Sequence, residues 1–316
     1  MGRVLVTRHL PSGGLEPLEG HELVGPKPDD APYSHDELGA LARECDAIVS
    51  LLTDRIDADV LAKGAASGRL RVVANVAVGY DNIDVAAARV HGIVVCNTPG
   101  VLDDTTADTA FLLILAASRL ASEAESDLRA GRWQGWGITQ YLGHDVHDAT
   151  LGIVGYGRIG RAVARRASGF GMRVLHHARH DTAEPGFVAE LDELLAASDV
   201  VSLHVPGGDA TRHLIDARRL ALMKPTAVLV NTARGTVVDE AALADALHDG
   251  RLFAAGIDVF EREPEIHPRL LSAPRAVLLP HIGSASTATR TKMAQLATSA
   301  AATVLAGGVP PNVAGA

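Results

Sequence analysis

The sequence predicts an α/β protein of two domains built on open parallel sheets, and three observations carry that reading. Short β-branched runs alternate with helix-compatible segments in two successive series, one before residue 99 and one from Thr150. Such alternation is the pattern of parallel strands joined by crossover helices. A glycine-rich turn with G-x-G-x-x-G spacing, at Gly155, Gly157 and Gly160, opens the second series directly after an apolar strand. The length of 316 residues suits two domains at roughly 100–200 residues each.

In the first series the expected strands are Arg3–Thr7, Ala47–Leu51, Val72–Asn75 and Val94–Cys96, with helices over His35–Glu44 and Asp57–Lys63. The segment Gly13–Pro32 is rich in Gly and Pro and is expected to loop around short elements. Asn97-Thr98-Pro99-Gly100 is a turn cluster that places a domain hinge near residue 99. A long helix is expected over Asp103–Leu120, with acids at its start and Arg119 near its end, as the helix dipole favours. In the second series the expected strands are Leu151–Gly155, Arg173–His176, Val200–His204, Ala227–Asn231, Ala254–Asp258 and Val277–Leu279. Helices fall between them at Arg158–Gly169, Leu191–Ala196, Ala217–Leu222 and Glu240–His248, and a last helix is expected over Thr287–Leu305. That series meets the requirements of a doubly wound sheet.

Composition narrows the function. Hydrophobic residues make up 47% and charged residues 21%, the balance of a folded globular chain. Aromatics are only 3%, so the cores must be built from Ala, Val, Leu and Ile. With 29 basic against 38 acidic residues the net charge is −9. A chain this acidic lacks the footprint of a nucleic-acid binder and is disfavoured at anionic membranes. The two cysteines, Cys45 and Cys96, cannot form a disulfide framework and have no metal-ligand spacing, so no metal site is expected. They read as small buried hydrophobes. The N-terminus does not read as a signal peptide, and the most apolar stretch, Phe111–Ala117, is far below the ~20 residues of a bilayer span. The expected location is the cytoplasm.

The glycine turn has the context of a dinucleotide site, with apolar strand Leu151–Gly155 leading in and a helix-compatible run leading out. Gly155 permits the tight turn, Gly157 lets the backbone approach a pyrophosphate, and Gly160 lets helix pack on strand. Arg158 and Ile159 stand at the start of that helix, where free N–H groups can meet phosphates. Cofactor choice turns on the end of the next strand, where an acidic residue would bind the ribose hydroxyls of NAD. Here the strand runs into His177-Ala178-Arg179-His180, and Asp181 comes slightly late. Arg179 and His180 suit the 2′-phosphate of NADP instead, so NADP(H) is favoured while NAD(H) remains open.

Reduction of a keto acid needs a cation to hold carboxylate and carbonyl, a proton donor for the developing alkoxide, and a carboxylate to keep that donor protonated. Three segments at the ends of late strands offer these groups: Asn231-Thr232-Ala233-Arg234-Gly235, Gly256 through Pro264 with Asp258 and Glu263, and Leu279-Pro280-His281-Ile282-Gly283. In open α/β sheets ligands bind at the carboxyl ends of strands, so all three can converge on one crevice.

With these motifs the chain resembles the D-isomer-specific 2-hydroxyacid dehydrogenases, most closely the glyoxylate/hydroxypyruvate reductase branch. The matching stretches run in order from Asn75-Val76-Ala77-Val78-Gly79-Tyr80-Asp81-Asn82-Ile83-Asp84, through Asn97-Thr98-Pro99-Gly100 and the Gly155 turn, to Asn231-Thr232-Ala233-Arg234-Gly235 and Pro280-His281-Ile282-Gly283. They cover nearly the whole chain. The resemblance implies two Rossmann-like domains with a cleft between them. A flavodoxin-like substrate domain would comprise residues 1–99 plus 284–316, and a doubly wound dinucleotide-binding domain residues 100–283.

The resemblance also implies roles. Arg234 would clamp the substrate's carboxylate and keto oxygen, His281 would be the general acid, and Glu263 the carboxylate paired with it. Such a carboxylate keeps the donor charged to higher pH. Val78 and Gly79 would hold the substrate carboxylate through backbone amides. On the cofactor side, Thr106 would lie near the phosphates and His204-Val205-Pro206 beside the adenosine. Thr232 and Ala233 would line the nicotinamide, and Asp258 would bind its carboxamide. Leu52 and Tyr80 would limit side-chain size in the substrate pocket. A homodimer through the dinucleotide-binding domain is implied, with the helix from Asp103 at the interface. The resemblance also suggests an aromatic near the active site, sometimes from a partner subunit; Trp133 and Trp136, the only tryptophans, suit a core or interface role at least as well and stay outside the site.

The function expected is NAD(P)H-dependent reduction of glyoxylate or hydroxypyruvate. Three competing readings stand beside it: another D-2-hydroxyacid dehydrogenase, a phosphite-type dehydrogenase, and a nucleotide-sensing corepressor on the same scaffold. The formate dehydrogenases of the family carry Gln where Glu263 stands, which weighs against that activity.

Overall fold

In the computed structural model, which describes residues 1–315, the chain forms two compact units. One comprises Met1–Leu102 and the segment from Ala285; the other is Asp103–Ser284.

The first unit holds five parallel strands, β1 (Arg3–Val6), β2 (Glu22–Val24), β3 (Ala47–Ser50), β4 (Val72–Asn75) and β5 (Val94–Cys96), in the order β2-β1-β3-β4-β5. This is the flavodoxin-like order. Period-two alternation sends successive side chains to opposite faces. Leu5, Ile48, Val73 and Val95 pack with Leu38, Val60, Leu61 and Ala88 from the helices His35–Ala42, Ala58–Ala66 and Val85–Val90. Val4, Val6, Val49, Val72 and Ala74 pack on the other face against Leu18 and against Ala297, Ala301 and Val304 of the last helix, Thr287–Leu305. The C-terminal segment thereby completes the N-terminal sheet. Residues 312–314 continue onto the free edge of β5: Cys96 and Val313 form an antiparallel bridge, and the Ala314 N–H donates to the Val95 carbonyl at 2.8 Å.

The second unit holds six parallel strands, β6 (Thr150–Val154), β7 (Arg173–His177), β8 (Val200–Leu203), β9 (Val228–Asn231), β10 (Ala254–Ile257) and β11 (Ala276–Leu278), in the order β11-β10-β9-β8-β6-β7. Outside β7, Phe187 forms a single parallel bridge with His176, held by His176 N–H to Gly186 O and Val188 N–H to His176 O, both 2.8 Å. With that bridge taken as a one-residue third strand, the order through β10 is the Rossmann order, 3-2-1-4-5-6. The winding reverses between β6 and β8, so their carboxyl ends flank the switch point where nucleotides bind.

One face of this sheet is covered by the helices Asp103–Ser118 and Arg158–Ala167, through Ala107, Phe111, Leu113, Ile114, Ala162 and Val163. The other is covered by Leu191–Ala197, Ala217–Leu220, Glu240–His248 and Pro268–Leu271, through Leu194, Leu195, Leu220, Leu243, Leu247 and Leu270. Both faces being buried explains why the strands read as continuous apolar runs.

The helix expected over Asp103–Leu120 ends at Ser118. Leu120 takes a left-handed φ of 53°, and a second helix, Ala121–Arg129, starts after it. Neither tryptophan belongs to the core: Trp133 is 49% and Trp136 79% exposed. Cys45 and Cys96 are free and buried. Among the described residues no helix is long and apolar enough to cross a membrane.

Candidate active site

At the switch point of the second unit the three glycines differ in their surroundings. Gly155 has φ +94°, and a Cβ there would lie 2.6 Å from the His204 carbonyl carbon. A Cβ on Gly160 would lie 2.3 Å from the Gly155 oxygen. A Cβ on Gly157 would meet nothing within 4 Å. Gly155 and Gly160 thus serve the protein's own packing, while Gly157 borders open space. Gly157 is the N-cap of the helix Arg158–Ala167 and provides no side-chain cap, so the first-turn N–H groups at Arg158 and Ile159 are left for an outside acceptor.

Among the described residues, two buried polar atoms nearby have no partner: Thr232 Oγ1 and His204 Nδ1. His204 Nε2 lies 2.8 Å from Ser202 Oγ, and burial pushes the ring's pKa down to about 3, so it stays neutral. Val205 and Pro206 follow it away from β8. In the loop after β7, Arg179 and His180 are exposed. Asp181 turns back on its own loop, where its carboxylate accepts the Ala183 N–H at 2.8 Å. An uncapped helix start, orphaned hydrogen-bonding atoms and clearance at Gly157 fit a dinucleotide's phosphates and polar edges.

The candidate catalytic residues sit on three adjacent strand ends of the same unit. After β9, Asn231 is 1% exposed and folds the turn: its Oδ1 accepts the Ala233 N–H at 3.0 Å, and its Nδ2 donates to the Arg234 carbonyl at 2.9 Å. Arg234 donates through one guanidinium nitrogen to the Ala233 carbonyl at 2.8 Å. At Gly235 a Cβ would lie 1.8 Å from the Phe260 carbonyl carbon, so the loops after β9 and β10 touch backbone to backbone. That contact brings Arg234 close enough to Glu263 for its charge to act on the carboxylate.

Glu263 Oε2 lies 2.8 Å from His281 Nδ1, and Glu263 Oε1 accepts the Phe260 N–H at 3.0 Å. The Glu263 side chain is 26% exposed. Burial alone would push this carboxyl up. The His281 hydrogen bond and charge, the Phe260 N–H and the Arg234 charge outweigh it, and the pKa falls below the ordinary value.

His281 takes a left-handed φ of 53°. A side-chain-bearing residue stays there only where its surroundings over-determine it. Asp258 does this. Its carboxylate accepts the N–H groups of Ile282 and Gly283, each at 2.7 Å, and its carbonyl accepts the His281 N–H at 2.9 Å. Asp258 is 1% exposed, and burial raises its pKa despite these bonds. Gly283 sits against this carboxylate and against Thr106, where a Cβ would meet Asp258 Oδ2 at 3.1 Å and Thr106 Cγ2 at 3.5 Å. Arg234, Asp258, Glu263, His281, Thr106 and Thr232 are therefore side chains of one unit's strand ends and flanking helix.

Val78 and Gly79 lie in the first unit, in the loop after β4. Leu52 is partly buried in the loop after β3, and Tyr80 is 37% exposed. The residues missed by motif reading are amides that hold loops: buried Asn231 above, and buried Asn75 and Asn97 with half-buried Asn82 here. Asn75 donates to the Gly79 carbonyl at 2.9 Å, Asn82 to the Leu51 and Asp54 carbonyls at 3.0 and 2.9 Å, and Asn97 to the Val78 carbonyl at 2.7 Å. For Asn75, Asn97 and Asn231 the signal was an Asn at or just beyond the end of an apolar strand.

A cation, a carboxylate-paired imidazole and an uncapped helix start over a glycine turn can together bind a dinucleotide and deliver a proton to an anionic substrate. Known proteins agree. Residues 111–283 match the family model described as D-isomer specific 2-hydroxyacid dehydrogenase, NAD binding domain. A glyoxylate reductase of Korarchaeum cryptofilum is 49% identical over 98% of this chain and 95% of its own length. A solved structure from Thermus thermophilus superposes with a TM-score of 0.92 at 43% identity, covering 99% of both chains. Another, an NADPH-dependent glyoxylate/hydroxypyruvate reductase of Sinorhizobium meliloti in complex with NADP and malonate, gives 0.86 at 36% identity, covering 99% of this chain and 96% of that one. Family model, near full-length identity and superposition converge, and the chain belongs to the D-isomer specific 2-hydroxyacid dehydrogenases, a family of oxidoreductases that use a nicotinamide dinucleotide.

Proposed function

We propose that the protein reduces glyoxylate and hydroxypyruvate to the corresponding 2-hydroxy acids, with NADPH as the preferred reductant. The observation that carries this reading is the 2.8 Å contact between His281 Nδ1 and Glu263 Oε2, with Arg234 close enough for its charge to act on the carboxylate. Because Nδ1 is taken by Glu263, Nε2 is the ring nitrogen left to face a substrate. The nicotinamide supplies a hydride when bound. As a C–H bond forms at the keto carbon, the carbonyl π pair moves to oxygen, and the proton on His281 Nε2 passes to that oxygen. The ring is left neutral, hydrogen-bonded to Glu263, and recovers its proton from solvent. Arg234 neutralises the substrate and polarises the carbonyl, a planar target that suits a guanidinium fork. We assign the substrate carboxylate to the amides of Val78 and Gly79 as well, and pocket size to Leu52 and Tyr80.

The second unit is assigned as the nucleotide-binding domain and the first as the substrate-binding domain. Arg158, Ile159 and Gly157 would receive the pyrophosphate, with Thr106 nearby. His204, Val205 and Pro206 would flank the adenosine, and Thr232, Ala233 and Asp258 the nicotinamide. The preference for NADPH rests on the exposed Arg179 and His180 and on Asp181, whose carboxylate is engaged in its own loop. The NADP complex of the Sinorhizobium meliloti reductase supports the same choice.

We further infer a cytoplasmic homodimer. Leu112, Leu128, Trp133, Trp136, Ile138 and Leu142 are all exposed within residues 112–142 of the second unit, and we take them to form an apolar patch of the kind that marks an interface. Burial pushes both free thiols up to about 11, so they stay protonated and inert.

The test is oxidation of NADPH, and separately NADH, with glyoxylate, hydroxypyruvate, pyruvate and bulkier keto acids. Fast turnover of the two small acids with NADPH is expected. Tight cofactor binding without turnover of any acid would overturn the reading in favour of a nucleotide sensor.

A further inference from the structure

The loop after β4 is held by its carbonyls. The Ala77 carbonyl accepts the Thr98 N–H at 2.8 Å, the Val78 carbonyl accepts Asn97 Nδ2 at 2.7 Å, and the Gly79 carbonyl accepts Asn75 Nδ2 at 2.9 Å. In a trans peptide the C=O of one residue and the N–H of the next point in opposite directions. Three consecutive carbonyls turned into the unit therefore turn the N–H groups of Val78, Gly79 and Tyr80 away from their donors. Those three N–H groups have no hydrogen-bond acceptor among the described residues. Successive unengaged amides in a loop are groups that an anion can accept from.

The middle donor, Asn97, is itself tied to the far end of the chain. Its N–H donates to the Asn312 carbonyl at 3.2 Å, and its carbonyl accepts Asn312 Nδ2 at 2.6 Å. Asn97 and Asn312 are 9% and 6% exposed. Tail and loop are joined through one buried side chain: Asn312 grips the Asn97 backbone, and the Asn97 side chain grips Val78.

We propose that Asn97 is a positioning residue for the substrate carboxylate, and that the C-terminal tail acts on substrate binding through Asn312 and Asn97. The proposal rests on the assignment of the Val78 and Gly79 amides to that carboxylate. Asn97 touches no substrate. It fixes the peptide plane between Val78 and Gly79, and the Gly79 N–H aims at the anion only while that plane is held. The carboxylate is bound alike in ground and transition states, so a loosened plane raises KM and leaves kcat nearly alone. A merely structural role would lower the active fraction, and with it apparent kcat, at constant KM.

Two measurements separate this proposal from the assignment beneath it. The first uses wild-type holoenzyme with NADP bound, labelled with 15N at Val, Gly and Tyr, and titrated with oxamate as a carboxylate probe. The amide resonances of Val78, Gly79 and Tyr80 are expected to shift. If they do not, the assignment of the loop fails, whatever Asn97 does. The second measures glyoxylate kinetics and oxamate inhibition in Asn97→Ala, Asn97→Asp and Asn312→Ala. Both Asn97 variants should raise KM and weaken oxamate about tenfold or more, with kcat within about threefold and cofactor affinity unchanged. Asn312→Ala should change KM in the same direction by a smaller factor, and it serves as the test if the Asn97 variants fail to fold. Shifted wild-type amides together with an unchanged KM, or with a loss confined to kcat, would overturn the positioning role.

Discussion

His281 Nδ1 lies 2.8 Å from Glu263 Oε2, and the other oxygen of the same carboxylate is pinned at 3.0 Å by the Phe260 N–H. The carboxylate cannot swing away from the ring without giving up a backbone partner. Its pKa is lowered, so it is ionised throughout the neutral range. Glu263→Gln removes the charge and keeps the shape. The pH–rate profile of kcat/KM for keto-acid reduction should then differ from that of the wild type. His281→Ala should lower kcat by about 10²–10⁴-fold with a far smaller change in KM. On the acid side the sign is that of a depressed carboxyl. The stability that the pair contributes is present above the unfolded value, about 4.5, and is lost as pH falls through the lower folded value. A thermal-stability profile should therefore be flatter for Glu263→Gln than for wild type between pH 5 and lower values. Coincident pH–rate profiles for the two proteins would remove Glu263 from the proton pair.

Asp258 acts on the same histidine from behind. Its two oxygens take the Ile282 and Gly283 N–H groups, the two residues that follow His281 at its positive φ. Asparagine offers one acceptor oxygen and places an NH₂ against the other N–H. Asp258→Asn should leave a buried donor unpaired, at about 1–3 kcal/mol. The melting temperature should fall by several degrees, and kcat should fall with it as the His281 turn loosens. Differential scanning calorimetry and steady-state kinetics check this together. A variant with wild-type Tm and kcat would show that the turn holds its shape without the carboxylate.

Much of this architecture is legible in the sequence, and the exceptions have physical reasons. Val72–Asn75 and Val94–Cys96 emerge with the expected bounds because both are continuous apolar runs in a sheet buried on both faces. β2 was hidden: Glu22-Leu23-Val24 lies on a sheet edge with little burial, inside a stretch full of Gly and Pro. The break at Leu120 was also invisible, since a leucine in the left-handed region carries no composition signal. Arg234, Glu263 and His281 are candidates from strand-end position together with the order of motifs that the family resemblance rests on. The Asp258 grip could not, because its partners lie 24 and 25 residues downstream and meet it only when β10 and β11 pair. Asn75 and Asn97 read as ordinary turn formers until their acceptors, carbonyls of one loop, are seen.

Gly157 and Gly235 should respond in opposite ways to the same added methyl group. At Gly157 a Cβ meets no protein atom within 4 Å, whereas at Gly235 it would lie 1.8 Å from the Phe260 carbonyl carbon. Gly157→Ala should fold with nearly wild-type Tm and raise the cofactor KM, because the methyl occupies space that a pyrophosphate needs. Gly235→Ala must push the loops after β9 and β10 apart. It should lose about 1–3 kcal/mol or more and most of its activity, since Arg234 and Glu263 ride on those loops. Thermal melts and cofactor titrations of the two variants check this. A loss of stability at Gly157 with unchanged cofactor binding would reverse the reading.

Arg179 is exposed in the loop after β7, whereas Asp181 is engaged by Ala183. A guanidinium there favours a 2′-phosphate and offers nothing specific to a ribose hydroxyl. Arg179→Ala should raise KM for NADPH by about tenfold, the scale of one charge-assisted contact, and leave KM for NADH within about twofold. The ratio of kcat/KM for the two cofactors is the readout. An unchanged ratio would transfer the preference to His180 or to the backbone.

Trp136 and Ile138 are 79% and 74% exposed, and large apolar side chains left in water stabilise nothing until something covers them. With Leu112, Leu128, Trp133 and Leu142 they give the second unit a surface that a second copy of the chain can cover. A covered face of this kind should depend on its central aromatic residues. Trp136→Ser combined with Ile138→Ser should convert a dimer to a monomer in light scattering at micromolar concentration, without loss of secondary structure. Since Arg234, Glu263 and His281 all belong to the same unit as this surface, the monomer should keep measurable turnover and lose thermal stability. A wild-type protein that is already monomeric, or a double variant that stays dimeric, would place the interface elsewhere.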